Sequence, residues 1–289
     1  MNLECTNALK ISEKIHCLKI DFVVTINPEK QLDRFVNCII IFGKKITLID
    51  TGVKGSTNFI FDYIEKNGRQ RNEIETIIIS HAHPDHIGSA AEIKELTQCK
   101  VLAHKGDREW IENIELQCQE RPVPGFFNLV DRCTLIDVFV EDAERIQLDK
   151  DITIKIIHSP GHSKGSLNIL FEEDKILFTA DSIPVKNDIP NYDNFQDLVQ
   201  SLNFIRHCQE YNILLTSWTT PLFTQAEVKK FLDEGYEYLA LLDQTVKQYY
   251  IGKETEPLEF CKKVISQLRL SPIFIMPIVD KAFYSHLQD

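Results

Sequence analysis

A chain of 289 residues that is 43% hydrophobic lies near the upper size for a single core, so one large domain, or one domain with a helical appendage, is expected. Its 32 Lys+Arg against 43 Asp+Glu leave a net charge of −11, which repels a phosphate backbone and argues against nucleic acid as a partner. Eight cysteines without a Cys-x-x-Cys pair, behind an opening Met1-Asn2-Leu3-Glu4 with no cationic apolar leader, predict reduced thiols in a soluble, cytoplasmic protein, and no apolar run approaches the ~18 residues of a membrane span.

In chain order, Ile15 to Val24 has a partial period of two, and Phe35 to Phe42 and Ile46 to Ile49 read as strands joined at Gly43-Lys44-Lys45. The second of these ends in Asp50-Thr51-Gly52, where Asp50 is either a turn cap or a group that orients a metal-binding histidine. Ser56 is placed to cap a helix through Ile64, with Phe59, Ile60, Tyr63 and Ile64 on one stripe and Asn67-Gly68 as its stop. Thr76-Ile77-Ile78-Ile79 then predicts a strand that empties into Ser80-His81-Ala82-His83-Pro84-Asp85-His86. Three imidazoles and a carboxylate within six positions are a dense set of metal-ligand groups at a strand's carboxyl end. His81 and His83, two apart, point the same way in extended backbone. Pro84 fixes a bend that carries Asp85 and His86 to a second position nearby, one metal for each pair.

Ile87 to Leu96 predicts a helix and Lys100 to Ala103 a short strand, and the alternation suggests a layered α/β architecture. His104, beside Lys105 and Asp107, reads as a polar surface group and stays outside the site. Glu115 to Leu129, with Pro122, Pro124 and Gly125, reads as a lid or binding loop whose Phe126 and Phe127 either line a substrate pocket or hold the loop on the core. Thr134 to Val140, Ile152 to Ile157, Ser166 to Phe171 and Lys175 to Thr179 are β-rich. Between them His162 sits in a glycine-bounded turn, His158 to Gly165, and Asp181 follows an apolar strand just as His81 does. His81, His83, Asp85, His86, His162 and Asp181 together have the nitrogen and oxygen mix of a carboxylate-bridged pair of borderline metals. Phe195 to Cys208, Gln225 to Tyr250, Glu256 to Leu268 and Phe274 to Leu287 are helical patterns, and no Pro/Gly/Ser-rich linker sets the last three apart. Residues 1–222 are therefore expected to hold the site and residues 223–289 to pack on the same domain, with Tyr236, Tyr238, Tyr249 and Tyr250 in its core or at a homodimer contact.

His-x-His-x-Asp-His at 81–86, Gly161-His162 in a Ser/Gly turn and Asp181 after a strand, in that order, resemble the metallo-β-lactamase superfamily. That resemblance implies a four-layer αββα sandwich, with the metals at one edge of the two sheets and extra C-terminal helices. It implies that His81, His83 and His162 hold a first metal, that Asp85 and His86 hold a second, that Asp181 bridges both, and that Asp50 is a non-ligand Asp after an early strand. The family commonly places a last histidine after a short strand, whereas here Ile213 to Ser217 runs into Trp218, which leaves the second metal short of a ligand. Zinc is the expected ion, one or two per chain, with iron or manganese as alternatives. The expected activity is hydrolysis of a small-molecule ester, thioester, lactone or phosphodiester by a metal-bound hydroxide, with Asp85 holding or relaying a proton. Two further classes are weighed. A mononuclear iron oxidoreductase like the persulfide dioxygenases would use His81, His162 and Asp181, and a non-catalytic metal-binding module would have to explain six surviving ligand-type residues.

Overall fold

The amino-terminal strands set the layering. In the computed structural model, which describes residues 4–27, 30–252 and 256–288, β1 (Glu4–Lys10), β2 (Ile15–Asn27), β3 (Lys30–Phe42) and β4 (Ile46–Ile49) form an antiparallel meander. Helix α1 (Thr57–Lys66) leads to β5 (Ile74–Ile78), and α2 (Pro84–Ile87) and α3 (Ala90–Thr97) lead to β6 (Lys100–His104). After α4 (Arg108–Glu112), α5 (Ile114–Glu120) and α6 (Phe126–Leu129) comes β7 (Val138–Val140). From β4 to β7 the neighbours are parallel, as strands joined by helical crossovers must be, and the seven-stranded sheet keeps chain order. The second sheet, ordered β12-β11-β10-β9-β8, comprises β8 (Arg145–Asp149), β9 (Ile152–His158), β10 (Leu167–Phe171), β11 (Ile176–Phe178) and β12 (Ile213–Leu215). Its one parallel pair, β11 with β12, is bridged by α7 (Phe195–His207), and α8 (Gln225–Tyr249), α9 (Glu259–Gln267) and α10 (Pro277–Ser285) follow.

A period of two sorts the apolar side chains between layers. Cys17, Ile39, Ile41 and Ile49 meet Ile154, Ile156, Ile169 and Phe171 of the second sheet in a core between the sheets. One residue out of phase, Leu18, Ile40, Leu48 and Ile77 meet Ile60, Phe61 and Ile64 of α1 and Ile93 of α3. On the far side Leu170, Leu177 and Leu214 pack with Leu202, Leu239, Val264 and Phe283 of α7 to α10. Helix, sheet, sheet and helix therefore stack as the αββα sandwich that the motifs imply.

Several expected elements differ, each for a tertiary reason. The helix expected from Ile87 to Leu96 is two helices broken at Gly88-Ser89. A Cβ on Gly88 would lie 2.3 Å from Leu129 O and 2.4 Å from Lys54 N, so three segments cross there. The Thr134 to Val140 strand shrinks to β7, because Thr134 bonds to Ile111 O before the sheet begins. Ser56 precedes α1, but its hydroxyl donates to Val53 O and does not cap the helix. β1 and β8 carry no clear alternation in sequence; β1 is an edge strand, and so is β8. The last helical pattern begins as a single turn at Pro272–Phe274 and becomes α10 only at Pro277, which occupies the first helical turn. Among the described residues no helix is long and apolar enough to cross a membrane. Cys17, Cys38, Cys99, Cys118, Cys133, Cys208 and Cys261 are free thiols; the side chain of Cys5 lies outside the described residues.

Candidate metal centre

β5 ends at Ile78 and its chain runs on as Ile79-Ser80 between the sheets, where Ile79 N donates to Leu102 O and Ser80 O accepts from Leu167 N. The loop that carries His81 and His83 is thus pinned to β6 on one side and to β10 on the other. Asp50, at the end of β4, accepts from Ser80 N at 2.8 Å and from Ser80 Oγ at 2.7 Å, and its Oδ2 pairs with His86 Nδ1 at 2.8 Å. Its role is therefore the orienting one, and that bond directs His86 Nε2 inward. Asp50 and Ala180, the residue before Asp181, both hold a left-handed backbone, φ 62° and 45°, an uncommon conformation for a non-glycine residue.

His81, His83, His162 and Asp181 each present one ligand atom, and these atoms all lie within 4.8 Å of one another. His83 Nδ1 and His162 Nε2 are 2.8 Å apart, and Asp181 Oδ2 is 3.3 Å from His162 Nε2 and 3.8 Å from His81 Nε2. Asp85 and His86 stand beyond this group on its far side: His86 Nε2 is 3.4 Å from Asp181 Oδ1 and 3.8 Å from Asp85 Oδ2. His81 Nε2, His86 Nε2 and Asp181 Oδ1 are buried without a hydrogen-bond partner. Buried polar atoms are rarely left so unless something else binds them, and a convergent nitrogen and oxygen set of this kind fits a borderline divalent cation.

The supports of this centre come from residues that sequence reasoning passed over. Asp107 accepts from Ala82 N at 2.8 Å, Ser163 Oγ at 2.6 Å and Gly165 N at 2.7 Å, so one buried carboxylate ties the His81–His83 loop to the His162 turn. The signal, weak in sequence, is a glycine on each side: a Cβ on Gly106 would lie 2.7 Å from Lys164 O, and one on Gly165 would lie 2.6 Å from Asp107 N. Gln117 Nε2 donates to Ala82 O at 2.7 Å. Arg121, itself 3% exposed, donates through Nε to His83 Nε2 at 2.6 Å and through Nη2 to Asn191 Oδ1. With Nε2 accepting, the ring proton of neutral His83 sits on Nδ1, so Nδ1 can hold a cation only once that proton has moved to Nε2 and the Arg121 bond there has given way.

Burial and neighbouring cationic groups hold His81 and His83 well below the usual imidazole range, so both rings are neutral. Burial alone would lower His86 as well, but the carboxylates of Asp181, Asp50 and Asp85 outweigh it and raise that group well above the usual value. Burial would raise Asp181, yet the facing imidazoles of His86 and His162 hold it well below the usual carboxylate range. Asp85 is raised by burial, against the pull of His86.

Other sequence candidates fall elsewhere. His104 stacks on His158 with ring centroids 3.9 Å apart, outside the centre. Phe126 is buried in the helix-side core and Phe127 is 49% exposed; neither lines a pocket at the centre. Trp218 lies beside the site under the guanidinium of Arg34, 4.9 Å from it, and its Nε1 has no partner. His207 is exposed and bonded to its own helix at Asn203 O, so it supplies no substitute ligand.

The Metallo-beta-lactamase superfamily profile matches residues 32–218, more than half of the chain. A probable metallo-hydrolase of Methanocaldococcus jannaschii is 31% identical over 183 residues, 61% of this chain and 83% of that protein. A hydroxyacylglutathione hydrolase of Haemophilus influenzae is 25% identical over 57% of this chain and 76% of its own length. One from Rhodopseudomonas palustris is 27% identical over 38% of this chain, and the alignment spans only 34% of that relative. Among solved structures, a metallo-beta-lactamase family protein of Thermus thermophilus superposes with a TM-score of 0.68 at 17% identity, covering 92% of each chain. A subclass B3 metallo-beta-lactamase of Bradyrhizobium japonicum gives 0.64 at 18% identity, covering 84% of this chain and 94% of the other. The strand-end histidines, the sandwich that presents them and the profile match agree, and the chain belongs to the metallo-β-lactamase superfamily, a superfamily of metallo-hydrolases.

Proposed function

We propose that this protein is a metal-dependent hydrolase of a small carboxylic thioester or ester, with His81, His83, His162 and Asp181 holding the principal cation and Asp85, His86 and Asp181 a second. The observation that carries the reading is the convergence of one ligand atom from each of His81, His83, His162 and Asp181, all within 4.8 Å of one another. The hydroxyacylglutathione hydrolases among its relatives favour a thioester. A bound zinc, iron or manganese ion would supply an acidified water and a Lewis acid for the carbonyl oxygen. In the reaction the acyl carbon–heteroatom bond breaks, a bond from water oxygen to that carbon forms, and the leaving heteroatom takes a proton. Asp85, raised by burial and 3.8 Å from His86 Nε2, is placed to take the proton that the attacking water loses and to pass it to the leaving heteroatom. Arg121 keeps His83 Nδ1 facing inward, and Asp50 does the same for His86 Nε2.

Elemental analysis of the purified protein, with thioester hydrolysis and oxygen uptake measured side by side, tests this. Bound metal with hydrolysis is expected, and a His81→Ala, His83→Ala double variant should lose most of both. A double variant as metal-rich as the parent would refute the ligand assignment. Iron with oxygen uptake on a persulfide, and no hydrolysis, would replace the hydrolase reading with the oxidoreductase one.

A further inference from the structure

A pocket opens directly from the metal centre. His83, Pro84 and Asp85 form its floor, and Phe22, Val24, Leu32, Leu129, Met276 and Ile278 are among its walls. Those walls come from three distant stretches: the β2–β3 hairpin, the α6 segment and the start of α10 with the residue before it. None of the six is required to hold a ligand of the cation, so their convergence on one apolar surface calls for its own explanation. A closed core would explain it if the pocket were sealed, but Val24 and Leu32 are only half-buried and the hairpin side stays accessible.

Two arginines also face this pocket, and they differ in how their charge is met. Arg34 is taken up by Asp188 through two bonds of 2.8 and 2.7 Å. Arg121, at the floor, spends Nε on neutral His83 and Nη2 on neutral Asn191, and its carboxylate neighbour Asp193 stands 3.9 Å from Nε. The pocket is thus apolar along its walls and polar at its floor, where Arg121 and Asp85 stand next to the ligand histidines. That polarity matches a molecule with an apolar tail and a carbonyl or carboxylate head.

We infer that this pocket is the acyl subsite of the hydrolase and takes an apolar acyl chain, with the acyl oxygen at the Arg121 end. The inference rests on the hydrolase reading, and it specifies the substrate class: acyl groups with an aliphatic tail in preference to short or hydroxylated ones. Each methylene moved from water to the apolar walls should tighten binding up to about fourfold.

Calorimetric titration of butyrate, hexanoate and octanoate into the full-length, metal-loaded protein reads the pocket without relying on turnover. Affinity should rise at each step, and S-octanoyl thioesters should be cleaved with higher kcat/KM than S-lactoylglutathione. In Val24→Asp the octanoate-to-butyrate affinity ratio should fall at least tenfold, with Leu32→Asp as an independent second variant should the first not fold. Equal affinity for butyrate and octanoate, or a ratio unchanged in both variants, would overturn the inference. Hydrolysis that favours lactoyl over octanoyl thioesters would overturn it and leave the hydrolase standing. No hydrolysis of any thioester or ester, with octanoate still bound more tightly than butyrate, would instead reject the hydrolase and keep the apolar-chain subsite.

Discussion

Asp107 shows how much of the centre depends on one side chain that touches no ligand atom. Its carboxylate satisfies three buried donors on the two loops that carry His81, His83 and His162. Asp107→Ala leaves Ala82 N and Gly165 N unpaired, at about 1–3 kcal/mol for each buried group, while the Ser163 hydroxyl keeps Ser166 Oγ. Metal affinity in a titration should drop about 10–100-fold, with Asp107→Asn intermediate because one acceptor oxygen survives. Metal binding in Asp107→Ala indistinguishable from the parent would show that the two loops hold their places without it. Trp218 sets a second expectation at this scale. An indole nitrogen is a donor only, so the second cation proposed above would have Asp85, His86 and Asp181 as its protein side chains. Metal-free protein should fill one tight site and then one distinctly weaker site, and Trp218→His should narrow the gap. Two equally tight sites in the parent would sink this.

At the scale of elements, α10 is joined to the rest through His286, the residue just after it. The ring lies flat on Phe195 at 3.9 Å, its Nε2 meets Tyr192 Oη at 2.6 Å, and its Nδ1 meets Asp243 Oδ1 at 3.0 Å. Burial dominates over the pull of Asp243 and lowers the imidazole to about 4 from a usual 6.5. The unfolded chain therefore binds a proton on this group at a pH where the folded one does not. The stability it contributes is complete above about 6.5 and is lost as pH falls toward 4. The loss can reach about 3 kcal/mol, on the order of 1.4 kcal/mol for each pH unit of the window. Urea melts between pH 4 and 7 should show this slope in the parent and a shallower one in His286→Phe. Parallel slopes would place the acid sensitivity elsewhere.

For the whole molecule the outer face of the second sheet is decisive. Leu170, Leu177 and Leu214 share one core with Leu239, Val264 and Phe283 of the last three helices. A chain cut after residue 222 would expose that face, although the profile match ends at residue 218. Such a truncation should aggregate or bind a hydrophobic dye, while the full-length chain melts in one transition. A monomeric, metal-binding 1–222 fragment with the parent's melting temperature would show that residues 223–289 are a separable appendage.

The sequence by itself determined what is local. A cluster of ligand-type side chains at 81–86 is legible because strand, bend and side chains are adjacent in the chain. The strands of both sheets were legible wherever a period of two or a run of β-branched residues marked them, and three motifs in order pointed to the sandwich. Only the tertiary structure decided what depends on distant partners: that Asp50 orients His86 from 36 positions away, that Asp107 joins loops 25 and 58 positions off, and that Arg121 reaches His83. It also decided where a regular pattern must stop, as at Gly88, where three segments cross too closely for a Cβ. The physical reason is the same in each case. A lone Asp, Arg or Gly has no periodicity to betray it, and its role comes into being only when the fold brings an unpaired donor, an imidazole or another backbone within about 3 Å.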